Sequence, residues 1–282
     1  MSRGVMKPPS VLLITLGFGL AIGCSSGPPR PQPGSAAFLW AEAKQSYRIG
    51  DLLKTDNTLL ELTGTDNAYA TDARVWQLIV SAGLTQGFSE LADAYESGSR
   101  HDVANPLRFR NQADRMRSFA ATAALEFAQA VHDFAGNDQD ETVKLAFEFP
   151  AGSAVPPEGL LKISYGLWPR DSDRESVETA MLQRGVLQAV STAVGRAGDP
   201  AGALATFQAA GVRVPRQLFI HGMAGLLYEE SDLFGARRMD RPDRFILMCR
   251  AAREALRSIP QSDETNELAM QIEETLKKAS GI

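Results

Sequence analysis

The spacing of apolar residues constrains this chain more than any other feature. From Ala37 onward these residues recur every three or four positions, and the runs are interrupted at Gly50-Asp51, Gly87 and Gly198-Asp199-Pro200. Glycine suits the end of a helix, aspartate can cap the next one, and proline is favoured at its first position. The pattern therefore predicts a mainly α-helical fold of paired helices.

The clearest helix pair lies between residues 187 and 215. Two helical stripes flank the Gly198-Asp199-Pro200 break, and Pro215 closes the second: Leu187, Val190, Ser191 and Val194, then Ala203, Phe207 and Ala210. This arrangement resembles a tetratricopeptide repeat. Weaker copies lie at 37–62 and 224–260, and Gly50 and Gly87 are 37 residues apart, a period typical of helix-pair repeats. The resemblance implies an α-solenoid, and a non-repetitive helical domain is the alternative.

Residues 136–172 interrupt the helical period. Apolar residues alternate with polar or small ones over 143–149 and again over 161–165. A period of two predicts a short β-hairpin near 142–166, and a pair of short helices broken by Pro156-Pro157 is the alternative. This insertion separates N-terminal repeats at 37–135 from C-terminal repeats at 173–282. The latter end in a capping helix that begins at Ser262.

The N-terminus has the pattern of an export signal over residues 1–23. Arg3 and Lys7 precede an uncharged run of 13 residues, which is too short to span a bilayer. The segment Ala21-Ile22-Gly23-Cys24 resembles the lipobox of bacterial lipoproteins. That resemblance implies lipidation of Cys24, and Ser25 favours the outer membrane facing the periplasm. A plain secretory signal is the alternative. Residues 24–36, rich in proline, are predicted to form an extended tether.

No motif in the chain indicates catalysis, a metal site or a bound cofactor. His101, His132 and His221 are widely spaced, and neither a paired-cysteine spacing nor a phosphate-binding glycine loop is present. With Cys24 lipidated, Cys249 has no disulfide partner and is predicted to be a buried apolar residue. The net charge of -5 argues against a nucleic-acid partner.

Charged residues offer two candidate binding regions. Seven arginines between Arg237 and Arg257 face only three acids, and five acids follow in the last helix. These helices either neutralise each other or present a basic patch to an acidic partner. By the geometry of the resembled repeat, Gln188, Thr192 and Arg196 are predicted to face a partner groove.

These patterns favour a membrane-anchored, non-catalytic helical-repeat scaffold that binds an envelope protein or peptide. The layout also loosely resembles lipoproteins associated with TRAP-type transporters, which implies a ligand-binding alternative with an oligomer and an apolar pocket. An enzyme of unrecognised class is a third possibility. The sequence does not specify the oligomeric state.

Overall fold

Two long helices of 32 residues each form the centre of the fold. They are α3 (Ala70–His101) and α4 (Pro106–Asn137), which make the most extensive contact between any two elements of this computed structural model. Because only residues 102–105 separate them, they run antiparallel, and ring pairs such as Phe88 with Phe119 join them along their length. The structure describes residues 31–279 except 103, 138, 139 and 211, so the predicted signal, Cys24 and most of the predicted tether lie outside the described residues.

The remaining elements surround this pair, and the predicted mainly α-helical class is confirmed. Within the described residues the other elements are α1 (Ala36–Ile49), α2 (Leu52–Thr63), β1 (Thr142–Lys144), α5 (Glu158–Ser164), α6 (Asp171–Ala193), α7 (Pro200–Ala210), β2 (Arg213–Pro215), α8 (Arg216–Glu230), a 3₁₀ turn (Ser231–Phe234), α9 (Pro242–Arg257) and α10 (Asp263–Ala279).

Several helix boundaries fall where the sequence predicts them, because the local side chains satisfy exposed backbone groups. Gly50, in the left-handed region with a φ of 80°, ends α1, and the Asp51 carboxylate accepts from the first turn of α2. The Asp199 Oδ1 atom accepts from the backbone N–H of Gly202 at 2.9 Å as α7 begins. The Ser262 hydroxyl oxygen accepts from the N–H of Thr265 at 3.2 Å at the start of α10.

The predicted helix break at Gly87 is wrong. Helix α3 runs through this position without interruption, so the 37-residue separation of two glycines does not mark two helix ends. Gly87 is needed for close packing instead, because a Cβ atom there would lie 2.8 Å from the Met181 carbonyl oxygen of α6. Gly83 and Gly185 make the same crossing still tighter, and α6 contacts α3 more extensively than it contacts α7.

The predicted β-hairpin near 142–166 is also wrong. Strand β1 pairs antiparallel with β2, with Val143 opposite Val214, and residues 158–164 form α5, as the alternative of short helices predicts for that part. Leu160 and Ile163 are buried three positions apart, whereas Leu161 and Tyr165 are exposed, which is a helical pattern.

The alternation over 143–149 has a different physical cause from the one predicted. Val143, Leu145 and Phe147 are all buried, but only the first lies in a strand. The Phe147 ring stacks on the Trp76 ring at 4.6 Å between centroids and also contacts Tyr47. The extended segment therefore buries every second residue against helices rather than against a neighbouring hairpin strand.

Candidate functional site

The three residues predicted to face a partner groove, Gln188, Thr192 and Arg196, do not line a common cleft. Thr192, in the last turn of α6, lines a cleft between α6 and α8. Gln188 lies one turn earlier and is partly buried, and its Oε1 atom has no hydrogen-bond partner. Arg196 is exposed in the turn that follows α6 and, like Gln188, is not part of the cleft lining.

The α6–α8 cleft has a volume of about 310 Å³. The two helices approach closely at Gly222, where a Cβ atom would lie 2.8 Å from the Thr192 carbonyl oxygen. The polar residues that line the cleft are Thr192, His221 and Glu229. The other lining residues are small or apolar: Gly195, Ala197, Leu218, Gly222, Gly225 and Leu226. The cleft is therefore a mostly apolar channel with three polar side chains.

The polar side chains of this cleft lack partners within the described part of the chain. Partial burial alone raises the pKa of the Glu229 carboxyl, and no cationic side chain forms an ion pair with it. The Nε2 atom of His221 is buried and accepts or donates no hydrogen bond. Glu229 is exposed to solvent, whereas the buried His221 nitrogen is a desolvated polar group without a partner, which is costly, so the cleft is a candidate binding site.

The neighbouring Glu230 is more deeply buried than its sequence context suggests. Both of its carboxyl oxygens are buried without a hydrogen-bond partner. The Thr85 hydroxyl lies beside it but donates to the Ser81 carbonyl at 2.8 Å. Burial raises the pKa of Glu230 well above its ordinary value. Glu230 is therefore a buried carboxyl at the end of α8, whereas the adjacent Glu229 is exposed.

A larger groove lies between α4 and α9, with a volume of about 550 Å³. Its apolar lining comes from both helices: Leu125, Ala128, Ile246, Leu247 and Ala251. Leu247 is 48% exposed, an unusual exposure for a leucine on a helix whose opposite face is buried. This groove thus presents apolar side chains that no other described element covers.

The rim of the α4–α9 groove carries both signs of charge. On one side the His132 Nδ1 atom lies 3.6 Å from the Glu254 Oε2 atom. Asp243 and Arg250 complete the charged lining, and Arg250 has no acidic partner among the described residues. An unpaired guanidinium at the edge of an apolar groove can form bidentate hydrogen bonds with a carboxylate.

The arginine-rich stretch 237–257 is only partly neutralised. Arg253 pairs with Glu273 of α10 at 3.7 Å, and Arg238 pairs with Asp93 of α3 at 3.1 Å. Arg250 and Arg257 are exposed, and no ion pair forms at either within the described chain. Among the described residues, neutralisation between α9 and α10 therefore rests on the Arg253–Glu273 ion pair, and the alternative of a basic patch stays a prediction.

A second buried carboxyl, that of Asp56, lies between α2 and α4. Asp56 of α2 is buried, and burial together with the nearby Glu126 of α4 raises the pKa of Asp56 well above its ordinary value. The protonated Asp56 carboxyl can then donate a hydrogen bond to the Glu126 carboxylate. The pair joins α2 to α4 and lines neither the α6–α8 cleft nor the α4–α9 groove.

Cys249 and His101 line neither the α6–α8 cleft nor the α4–α9 groove. Cys249 is buried, burial raises the pKa of its thiol, and its Sγ atom donates to the Ser231 hydroxyl oxygen at 3.5 Å. His101 is exposed, and its ring lies 6.1 Å from the Tyr165 ring. Among the described residues, no group of three or more histidine, cysteine or acidic side chains is placed to hold a metal ion.

Sequence reasoning missed the α4–α9 groove. Ile246 and Leu247 read as part of an ordinary helix stripe, and Leu125 lies beside the predicted core face of α4. One signal was present: Gln129 and His132 follow Leu125 at spacings of four and seven, which puts them on one helix face. That spacing could have indicated a second, half-polar face on α4, but not its partner.

None of the described helices is long and apolar enough to cross a bilayer. Comparison with protein-family models, curated proteins and solved structures gives no significant match, so no family is assigned to this chain.

Proposed function

We propose that this protein is a lipid-anchored, non-catalytic helical-repeat scaffold of the cell envelope, which holds a helical segment of a partner protein in the α4–α9 groove. The observation that carries the proposal is the uncovered apolar groove with the unpaired Arg250 at its rim. Short turns joining α1 to α2 and α6 to α7 support the helix-pair organisation. The periplasmic face of the outer membrane is the proposed location, on the strength of the lipobox pattern.

The dimensions of the groove favour a helical partner segment. The lining residues of α9 extend from Asp243 to Glu254, a rise of about 16 Å, which matches three turns of a docked helix. An amphipathic helix can place apolar residues at i, i+3, i+4 and i+7 against Leu125, Ile246 and Leu247. A carboxylate on its polar face can reach Arg250. The proposed occupant is therefore an amphipathic helix with at least one acidic residue beside its apolar face.

This proposal predicts a charge-dependent contact at Leu247. A photo-crosslinking amino acid placed at Leu247 in native membranes should capture one partner. The Arg250→Glu substitution should reduce the crosslink yield about tenfold or more, because it replaces a charge-assisted hydrogen bond with a repulsion. Arg257→Glu is the matched control, since Arg257 is also exposed and unpaired on α9 but does not line the groove. Equal yields from the two variants would contradict the proposed docking mode.

The lipid anchor predicts labelling at a single residue. In a diderm bacterial host, the full-length protein should incorporate labelled palmitate, and Cys24→Ser should incorporate none. The variant should also leave the membrane fraction, because two or three acyl chains hold a protein far more firmly than the marginal binding of one. Palmitate in Cys24→Ser, or none in the unchanged protein, would favour the plain secretory signal instead.

A second candidate function is the binding of a small molecule as a component associated with a TRAP-type transporter. The volume of the α4–α9 groove lies within the range of about 300–1,000 Å³ typical of small-molecule pockets. This candidate requires an oligomer, whereas the scaffold does not. Native mass spectrometry of the purified chain would distinguish them by mass and by retained ligand.

A further inference from the structure

The α6–α8 cleft is separate from the α4–α9 groove and has a different character. The cleft is lined mainly by glycine, alanine and leucine, and its polar side chains lie at two positions along α8. Thr192 lies beside Gly222, next to His221, whereas Glu229 lies eight residues further along α8. Eight helical residues rise about 12 Å, so the carboxylate lies near one end of the cleft, whereas the hydroxyl and imidazole lie nearer its middle, with Leu218 beyond them.

We propose that the α6–α8 cleft binds a small linear aliphatic amine, with its ammonium group at Glu229 and a second hydrogen-bonding group at Thr192 and His221. The methylene chain of such a ligand lies along Gly225 and Leu226, which α8 places between His221 and Glu229. The cleft volume of about 310 Å³ is at the lower end of the range for ligand pockets, so it suits a small molecule rather than a folded segment.

The charges of the cleft select a cation. Glu229 is its only carboxylate, and neither lysine nor arginine lines it among the described residues. Partial burial raises the pKa of Glu229, and no lysine or arginine pairs with this carboxylate among the described residues. An ammonium group would supply the missing counter-charge and stabilise the carboxylate. A small anion finds no positive partner there.

The same lining disfavours a metal ion. One carboxylate, one imidazole and one hydroxyl spread along α6 and α8 do not supply the convergent ligands that zinc or calcium requires. The apolar lining between the two polar positions contributes to binding only if the ligand itself has an apolar middle. An ω-amino alcohol or a diamine has that form.

The proposal is tested with aminopentanol as the probe and isothermal titration calorimetry of the full chain. We expect saturable binding at one site, and affinity about tenfold or more weaker for Glu229→Gln, since a charge-assisted hydrogen bond is lost. The matched control is Glu264→Gln, because Glu264 is exposed on α10 and forms no ion pair in the described chain. Both substitutions are expected to leave the fold intact, which thermal unfolding will check.

The ligand series separates this site from nonspecific association. Pentanol and pentanoate, which lack the ammonium group, should bind at least tenfold more weakly than aminopentanol. Thr192→Val should weaken aminopentanol but not aminopentane, which has no second polar group. No binding of either amine, equal affinity of Glu229→Gln and the unchanged protein, or tighter binding of pentanoate would each overturn the proposal. These results are independent of crosslinking at the α4–α9 groove.

Discussion

Replacing Glu230 with glutamine is expected to stabilise the protein at neutral pH and to leave its stability unchanged in acid. The carboxyl oxygens of Glu230 are buried without partners, and burial raises its pKa well above the ordinary value of 4.5. The Glu230→Gln variant keeps the shape of the side chain and removes the ionisation. We expect it to increase the free energy of unfolding by about 1–3 kcal/mol near pH 7.

The sign of this effect follows from proton linkage. The folded state holds the Glu230 proton at pH values where the unfolded chain has already lost it, so the raised pKa favours folding only in acid. As the pH rises above about 4.5, stability falls by up to about 1.4 kcal/mol per pH unit until the folded carboxyl also ionises. Glutamine does not titrate, so this component of the slope disappears in the variant.

Urea unfolding at about pH 4, 5.5 and 7 measures the prediction. The pKa of Asp56 is also raised, but Asp56 is present in each protein and is not among the groups that shift Glu230, so its contribution cancels in the difference. The charge of Glu229 helps to raise the pKa of Glu230, so the difference includes the loss of that repulsion. Glu264→Gln on the surface of α10 is the control and should shift the curve little at any pH. If Glu230→Gln keeps the pH dependence of the unchanged protein, the buried carboxyl has a partner that the structure does not show.

The second large effect concerns the crossing of α3 and α6. Gly185→Ala should destabilise the fold by about 3 kcal/mol or more, because its Cβ atom would lie 2.1 Å from the Gly83 carbonyl oxygen. Gly83→Ala should have a similar effect, since its Cβ atom would lie 2.5 Å from the Val186 Cα and backbone N atoms. Backbone atoms cannot rotate away as side-chain ends do, so the helices must separate.

A third glycine in a helix provides the matched control. Gly225 of α8 has only the Leu268 Cδ2 atom near its added Cβ, at 3.8 Å. Alanine is favoured over glycine within helices by about 1 kcal/mol, so Gly225→Ala should be neutral or stabilising. The melting temperatures of the three variants provide the comparison. Gly185→Ala that melts as high as Gly225→Ala would show that α3 and α6 are not in close contact.

The sequence predicted local features well because their causes are local. The capping aspartates at 51 and 199 and the serine at 262 act within three residues of their partners. Gly87 shows the limit of such reasoning, since glycine permits both a helix end and a close approach of two backbones. Only the position of Met181 on a distant helix decides between them.

The errors in the β-structure have the same origin. The alternation at 143–149 correctly indicates an extended segment, but Val143 pairs with Val214, about 70 residues away, and not with a neighbouring run. The candidate sites also depend on distant pairs of helices. Thr192 could be placed on an outer helix face from spacing alone, whereas its proximity to Gly222 and the groove between Leu125 and Leu247 depend on how α8 and α9 pack.

The length of α3 sets the distance between the contacts made at its two ends. Trp40 of α1 stacks on Tyr69, which immediately precedes α3, so the N-terminal half of α1 contacts the start of that helix. Helix α3 has 32 residues and rises about 48 Å to His101. The aromatic contact between α1 and the start of α3 therefore lies about 48 Å of helix away from the contact that His101 makes with Tyr165.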